Sequence, residues 1–275
     1  MQKECWNNKE GLYFSHRKAQ ITVFIIVGII IVVVALILLI YPSFKSGFSQ
    51  EINPAEYIKS CTESAVKKSV EIAGKQGGSV HPQHTVSFQG ENIEYLCYTN
   101  AYYKTCVMQQ PLLKQHLEYE LVNDIKPKIE DCVQSLQGEL EKRGFTVAKQ
   151  RPDVTLSIIP KTIDVNVKLG LKVTKGETST YDTVTVQVPS SLYDLAMVSE
   201  SILNFEARYG DADPLGYMFY YPDLKVQKLK QDDGTKIYIL HNRNSGEEFQ
   251  FASRSLSWPA GYIGTDNLAL YPGRV

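Results

Sequence analysis

The sequence predicts an α+β chain: an N-terminal transmembrane helix, a helical disulfide-linked region, then an antiparallel β-rich domain with one packed helix. Three observations predict it. A charge-free apolar run fills residues 21–41, apolar residues recur at helical spacing through 54–73 and 111–143, and the period changes to two beyond residue 150. The divisions that follow are a cytoplasmic leader at 1–20, the transmembrane helix at 21–41, an extracytoplasmic helical and cysteine-bearing region at 42–149, and an extracytoplasmic α+β domain at 150–275.

Ile21 to Tyr41 contains no charged residue, no proline and a single glycine, Gly28. At 1.5 Å per residue the run reaches about 31 Å, the thickness of a bilayer's hydrocarbon core. A secretory leader has a shorter apolar stretch of about 7–15 residues and then small residues at a cleavage site. This run is longer and ends in Tyr41-Pro42-Ser43-Phe44. A helix buried in a soluble core keeps a polar face, and none is present here. Ile and Val form helices poorly in water, but in lipid every backbone N–H must bond within the segment. Lys3, Lys9, Arg17 and Lys18 precede the run, whereas the fifteen residues after it hold only Lys45. Basic residues stay on the cytoplasmic side, so the N-terminus is expected inside and the body outside. Tyr41, Phe44 and Phe48 suit the outer interface, where aromatic rings collect.

Of the 275 residues, about 230 follow the anchor, enough for one sizeable domain or two small ones. A formal net charge of −1 gives no electrostatic case for nucleic acid. Of the five cysteines, Cys5 precedes the run, and Cys61, Cys97, Cys106 and Cys132 follow it. An even set in an oxidising compartment suggests disulfides. Cys97 and Cys106 bracket YTNAYYKT, a hairpin tip or small loop, and are expected to pair. That leaves Cys61 with Cys132, both on apolar stripes of predicted helices.

Pro54 to Ala73 reads as a helix, with Asn53 as N-cap, Pro54 at the first position and Gly74 closing it. Ile58, Cys61, Ala65, Ser69 and Ile72 form its inward stripe, and Lys59, Glu63, Lys67 and Glu71 its charged side. Short strands are expected within 79–110. A second helical region runs from Pro111 to Arg143, with Pro127 expected to kink or break it. Val154, Leu156 and Ile158, then Ile163 to Leu169, then Val184 to Val188 alternate as three adjacent strands with one wet face. Ser191 to Asp194 reads as a capping box opening a helix to about Tyr209, whose stripe is Leu195, Val198, Ile202 and Phe205. Asp233-Gly234 signals a two-residue hairpin between Leu224–Leu229 and Lys236–Leu240. His241 to Gly246 turns the chain again before Glu248–Ala252, and WPAGYIGTDNLALYPGRV has little periodicity.

Candidate chemistry is sparse. His81 and His84 flank Pro82 in a loop, which forbids the helical pairing of zinc hydrolases. Gly74, Gly77 and Gly78 leave a helix rather than open one, the wrong order for a phosphate cradle. No Gly-x-Ser-x-Gly elbow occurs. Asp211 and Asp213 have the oxygen-ligand character of a Ca²⁺ site but lack the glycine and distal glutamate of an EF-hand loop. GYMFYYPD reads as alternating, with Tyr217, Phe219 and Tyr221 on one side and Met218 and Tyr220 on the other, a candidate ligand patch together with Tyr102 and Tyr103. No metal ligand set and no catalytic set is read.

Lys18-Ala19-Gln20-Ile21-Thr22-Val23-Phe24 resembles the opening of archaeal pilin-like precursors with class III signal peptides. The resemblance implies cleavage between Ala19 and Gln20. Those precursors usually carry Glu at the fifth position after the cut, where this chain has Phe24. The wider layout is similar to uncharacterised membrane-anchored surface proteins of DPANN-type archaea. It has an Ile-rich anchor, a cysteine helix ending in Gly74-Lys75-Gln76-Gly77-Gly78, a second helix with Cys132, and a β-rich end. The expectation is a single-pass cell-surface protein with a structural or binding role: pilin-like, an adhesin or an envelope component. Its partners would be the lipid bilayer and other envelope proteins, without cofactor. The alternative is a membrane-tethered extracytoplasmic hydrolase.

Overall fold

The computed structural model describes residues 17–40, with side chains over 24–36, and residues 52–257. Cys5, Tyr41 and the stretch from Trp258 onward lie outside the described residues. The chain divides into two compact units, Met1–Glu51 and Ile52–Val275.

The first unit holds helix α1, Arg17–Ile40, 24 residues long and so about 36 Å. Ala19, Gln20 and Ile21 lie in its first turns. Every described side chain on it is exposed, from 46% at Val33 to 74% at Phe24, and nothing approaches Gly28. Among the described residues, no helix is long and apolar enough to cross a membrane.

The second unit opens with α2, Pro54–Lys75. Asn53 caps it, its Oδ1 accepting the amide N–H of Ala55 at 3.0 Å. Gly74 does not end the helix; it lies against the Glu248 carbonyl, where any Cβ would collide. The chain leaves through Gly77, whose φ of +83° suits glycine, while the Gly78 N–H bonds back to the Ala73 carbonyl at 2.7 Å. The buried face is centred on Thr62, Val66, Ser69 and Ala73; Cys61, Ala65 and Ile72 sit at its half-buried edge. On the wet side Glu63–Lys67 and Glu71–Lys75 pair at 2.7 and 2.8 Å.

Strands β1 (Thr85–Phe88) and β2 (Glu91–Tyr98) form a hairpin, and β3 (Val107–Met108) returns onto the end of β2. Helix α3, Leu113–Lys142, is continuous through Pro127 for 30 residues, so no break occurs there. Its stripe from Leu113 to Leu140 is buried on both sides of the proline, and each such side chain contributes about 1.5–3 kcal/mol. Continuous packing therefore holds together a helix that the proline alone would interrupt.

β4 (Thr146–Ala148), β5 (Asp153–Ile159), β6 (Thr162–Lys175) and β7 (Glu177–Pro189) make one antiparallel sheet around β6. Its Val, Ile and Leu residues alternate inward as expected. α4 (Leu192–Tyr209) and the short α5 (Leu215–Tyr220) follow. β8 (Leu224–Lys230), β9 (Thr235–Asn242) and β10 (Glu248–Arg254) form the closing meander. The β8–β9 turn is closed by Gln231 N–H onto the Thr235 carbonyl at 2.8 Å, a three-residue rather than two-residue loop.

β10 pairs with β2 in parallel, so the second sheet runs β1-β2-β10-β9-β8. The early strands thus join the closing meander, and the stretches before and after residue 150 share one core. α2 packs on α3 and touches a strand of each sheet, β7 and β10. Tyr238, Phe249 and Phe251 fill the end of this core beside α4. A smaller cluster, Ile93, Tyr95, Ile237, Ile239 and Ala252, is buried separately.

Candidate functional site

Both expected cysteine pairs are bonded. Cys61–Cys132 ties α2 to α3 with Cα atoms 6.5 Å apart, and Cys97–Cys106 ties the end of β2 to the loop before β3, with Cα atoms 5.3 Å apart. Next to the second bridge lies a buried polar cluster.

α4 aims Glu206 into the core, with no solvent exposure. Phe205, expected on the buried stripe, is 48% exposed instead. Glu206 Oε1 accepts the Tyr238 hydroxyl at 2.5 Å and the Ala212 N–H at 3.1 Å. Oε2 accepts the Lys236 ammonium at 2.6 Å and the Ser253 hydroxyl at 2.9 Å. Lys236 also donates to the Gly210 carbonyl and to Asp211 Oδ1, the latter at 3.2 Å. Lys228 reaches the same Oδ1 at 3.2 Å and the Ala212 carbonyl at 2.7 Å, while Lys230 meets Asp211 Oδ2 at 3.2 Å. Ser253 lies 3.7 Å from Cys106 Sγ.

These groups are placed by strand phase. Val226, Lys228 and Lys230 on β8, and Lys236 and Tyr238 on β9, occupy alternate positions, and Lys228 sits opposite Tyr238 in the ladder. Lys230 faces Lys236 directly, a repulsive pairing that Asp211 and Glu206 offset. Burial pushes the Asp211 carboxyl up, but the three ammoniums outweigh it and hold the group below the ordinary aspartate range. Burial, then the neighbouring Glu206 charge, raises the Tyr238 hydroxyl well above the usual tyrosine value. Removing one partner of such a network costs about 3–5 kcal/mol, because the others stay buried and uncompensated.

Asp211 and Asp213, the carboxylates with oxygen-ligand character, are both engaged by groups of the chain itself. Asp211 is turned onto ammoniums, which repel a calcium ion, and Asp213 Oδ1 accepts the Leu215 N–H at 2.9 Å in a tight turn. The His84 ring lies against Tyr98 and Tyr95, at 4.3 and 4.8 Å. Among the described residues, no group of three or more His, Cys, Asp or Glu is arranged to hold a metal.

A second polar cluster joins Ser79, Glu94 and His116. Ser79 Oγ donates to Glu94 and lies 2.8 Å from His116 Nε2. A serine nucleophile needs the histidine between serine and acid. Here serine stands in the middle and is only 3% exposed, so the order is that of a structural network. Burial raises the Glu94 carboxyl, against the Ser79 hydrogen bond and the His116 charge.

Two surface hollows flank α4. One, of about 700 Å³, includes Ser190, Ser191, Ser245 and Glu247 in its lining. Ser191 makes no capping bond of its own; Glu247 from the β9–β10 turn accepts Ser190 Oγ at 2.7 Å and Ser191 Oγ at 2.5 Å. A carboxylate from another element thus replaces the expected capping box, favoured by the helix dipole. The other hollow, of about 430 Å³, is lined by Tyr193, Met197, Tyr220, Tyr221 and Pro222 among others. The aromatic segment beside it is helical in α5, so the alternation expected there fails. Tyr217 is half-buried, its hydroxyl 2.7 Å from Ser201 Oγ, whereas Phe219, Tyr220 and Tyr221 are exposed. Tyr102 and Tyr103 are exposed at the Cys97–Cys106 loop.

Glu206, Lys236, Ser253, Ser79, Glu94 and His116 carry no motif. The one signal was phase: Lys228 falls in step with Val226, and Lys236 with Tyr238. No protein-family model matches the chain, and neither does any curated protein or solved structure.

Proposed function

We propose that this chain is a single-pass membrane-anchored cell-surface protein with a structural or binding role, its N-terminus cytoplasmic and the unit from Ile52 outside. The observation that carries the reading is the pair of disulfides within one core. Such bonds persist in oxidising compartments and are rare in reducing ones. The charge-free apolar sequence from Ile21 to Ile40 supports the anchor, and the basic residues before it support the orientation. Exposed Phe219, Tyr220 and Tyr221 beside the smaller hollow are the proposed contact surface for another envelope component. The likeness at residues 18–24 supports a pilin-like version in which the chain is cut between Ala19 and Gln20.

Alkaline carbonate extraction tests the anchor, and thiol labelling of intact cells tests the orientation. The expected result is a chain retained in the membrane pellet, with its four outer cysteines unreactive until reduced. Release into the supernatant, or four free thiols shielded until lysis, overturns the proposal. The mass of the native N-terminus separates the versions: residues 1–19 are lost in a processed pilin and kept in an anchored protein.

A further inference from the structure

The cluster at the end of α4 has the parts of a condensation site. A lysine amine and a carboxyl group touch in a nearly water-free pocket, and a second carboxylate holds the amine. Lys236 is 6%, Asp211 3% and Glu206 0% exposed. Tyr238 and Phe251 stack with ring centroids 5.1 Å apart in the same core. We infer that Lys236 and Asp211 join in an intramolecular isopeptide bond, with Glu206 as the catalytic residue that carries the protons.

The reaction balances without any added reagent. The bond from Lys236 Nζ to Asp211 Cγ forms, and one Cγ–Oδ bond breaks. Two of the three ammonium protons leave with that oxygen as water, and a neutral amide remains. The resting pair is ionic, so the first step passes a proton from Nζ to Glu206 Oε2, 2.6 Å away. That leaves a neutral amine, the nucleophilic form of lysine. Glu206 passes that proton to Asp211, whose neutral acid, unlike the carboxylate, is open to attack at Cγ; the negative charge that builds on its oxygen is stabilised by the ammoniums of Lys228 and Lys230, 3.2 Å from the aspartate oxygens. The attacking nitrogen then gives its second proton to Glu206, which hands it to the departing hydroxyl, so that water leaves and the Glu206 carboxylate is restored.

Three features favour the step here over the same pair in water. The reacting groups are held in contact, which supplies a large effective concentration. The product buries a neutral amide where the reactants bury an ion pair, relieving a desolvation penalty. The water released leaves a site with little solvent to reverse the reaction. Lys228 touches the same oxygen and also donates to the Ala212 carbonyl at 2.7 Å. Among the described contacts, Lys236 is the lysine that touches both Asp211 and Glu206. The bond would fasten the segment after α4 to β9, beside the Cys97–Cys106 bridge. It does not depend on the membrane anchor, so its test and the anchor's fail separately.

Peptide mapping of the purified full-length chain, reduced and digested with trypsin, decides the matter. The expected product is a branched peptide joining residues 209–225 to 231–243, uncut at Lys236 and lighter by one water than its two linear parts. Asp233-Gly234 can lose the same mass by cyclising on itself, so the linkage is read from fragment ions, not from intact mass. A map with only linear peptides cut after Lys236 overturns the inference. D211N is expected to give the same branched peptide, with ammonia leaving in place of water, and K236R to give none. E206Q is expected to slow branch formation by at least about a hundredfold, with both disulfides retained as the check on folding. Branching in K236R, or at the wild-type rate in a folded E206Q chain, refutes the assignment.

Discussion

Each disulfide contributes in proportion to the chain freedom it removes from the unfolded state, and the two loops differ greatly in length. Cys61 and Cys132 are 71 residues apart and Cys97 and Cys106 are 9 apart, which on loop entropy corresponds to about 4.4 and 2.6 kcal/mol. Because the short loop lies inside the long one, each bridge must be measured alone. C97A/C106A leaves only the long bridge, and C61A/C132A only the short one. Urea unfolding of each full-length variant in detergent, oxidised and then reduced, isolates one bridge without changing another side chain. Reduction is expected to lower stability more in the first variant, by about 4 kcal/mol against about 2.6. If reduction costs the short-bridge chain as much or more, the bridges act through native contacts rather than loop entropy, and the reasoning fails.

Two helical glycines, Gly74 and Gly138, predict opposite outcomes for one substitution. G74A drives a methyl group into the Glu248 carbonyl on β10 and is expected to cost about 1–3 kcal/mol in urea unfolding. Gly138 on α3 has nothing near it, so G138A is expected to add about 0.5–1 kcal/mol; equal effects would show that the α2–β10 contact is loose. Leu117 is fully buried on α3, and L117A is expected to cost about 2–5 kcal/mol, a value under 1 kcal/mol marking a site that collapses. Glu94 gives a pH dependence, since its carboxyl is raised by burial. An acid whose folded pKa lies above its unfolded one contributes stability fully below the unfolded pKa. That contribution is lost as pH rises through the folded pKa. Wild type is therefore expected to lose stability relative to E94Q across that window, at up to about 1.4 kcal/mol per pH unit. A difference in urea midpoints that does not change with pH would contradict it.

The parts of the fold legible in the sequence were those where one local rule acts alone. Alternation along Ile163 to Leu169 and Val184 to Val188 reported a sheet with one wet face, and Asn53-Pro54 reported a helix start. Errors came where a distant element supplied what a local signal seemed to demand. Glu247, far along the chain, caps α4 in place of Ser191. The stripe of α3 carries the helix through Pro127. Gly74 reads as a terminator, but its missing side chain makes room for β10. The parallel pairing of β10 with β2 joins residues about 155 apart in sequence, and no short-range pattern encodes it.

The charged cluster was hidden for a further reason. Hydropathy sends a glutamate to the surface, so a stripe drawn through α4 passes through Phe205 and leaves Glu206 outside. The structure reverses the two because the opposing strands present cations, not apolar side chains, at that level. Lys228, Lys230 and Lys236 fall in phase with Val226 and Tyr238, so an inward-facing carboxylate is required on whatever packs there. Neither half makes sense alone: an isolated glutamate in that core, or a buried Lys236 without Asp211 and Glu206, would be expelled or left uncharged. Either partner can be read only by pairing strand phase on β8 and β9 with the helix that covers them, which ties this part of the fold and the proposed isopeptide chemistry to the same five side chains.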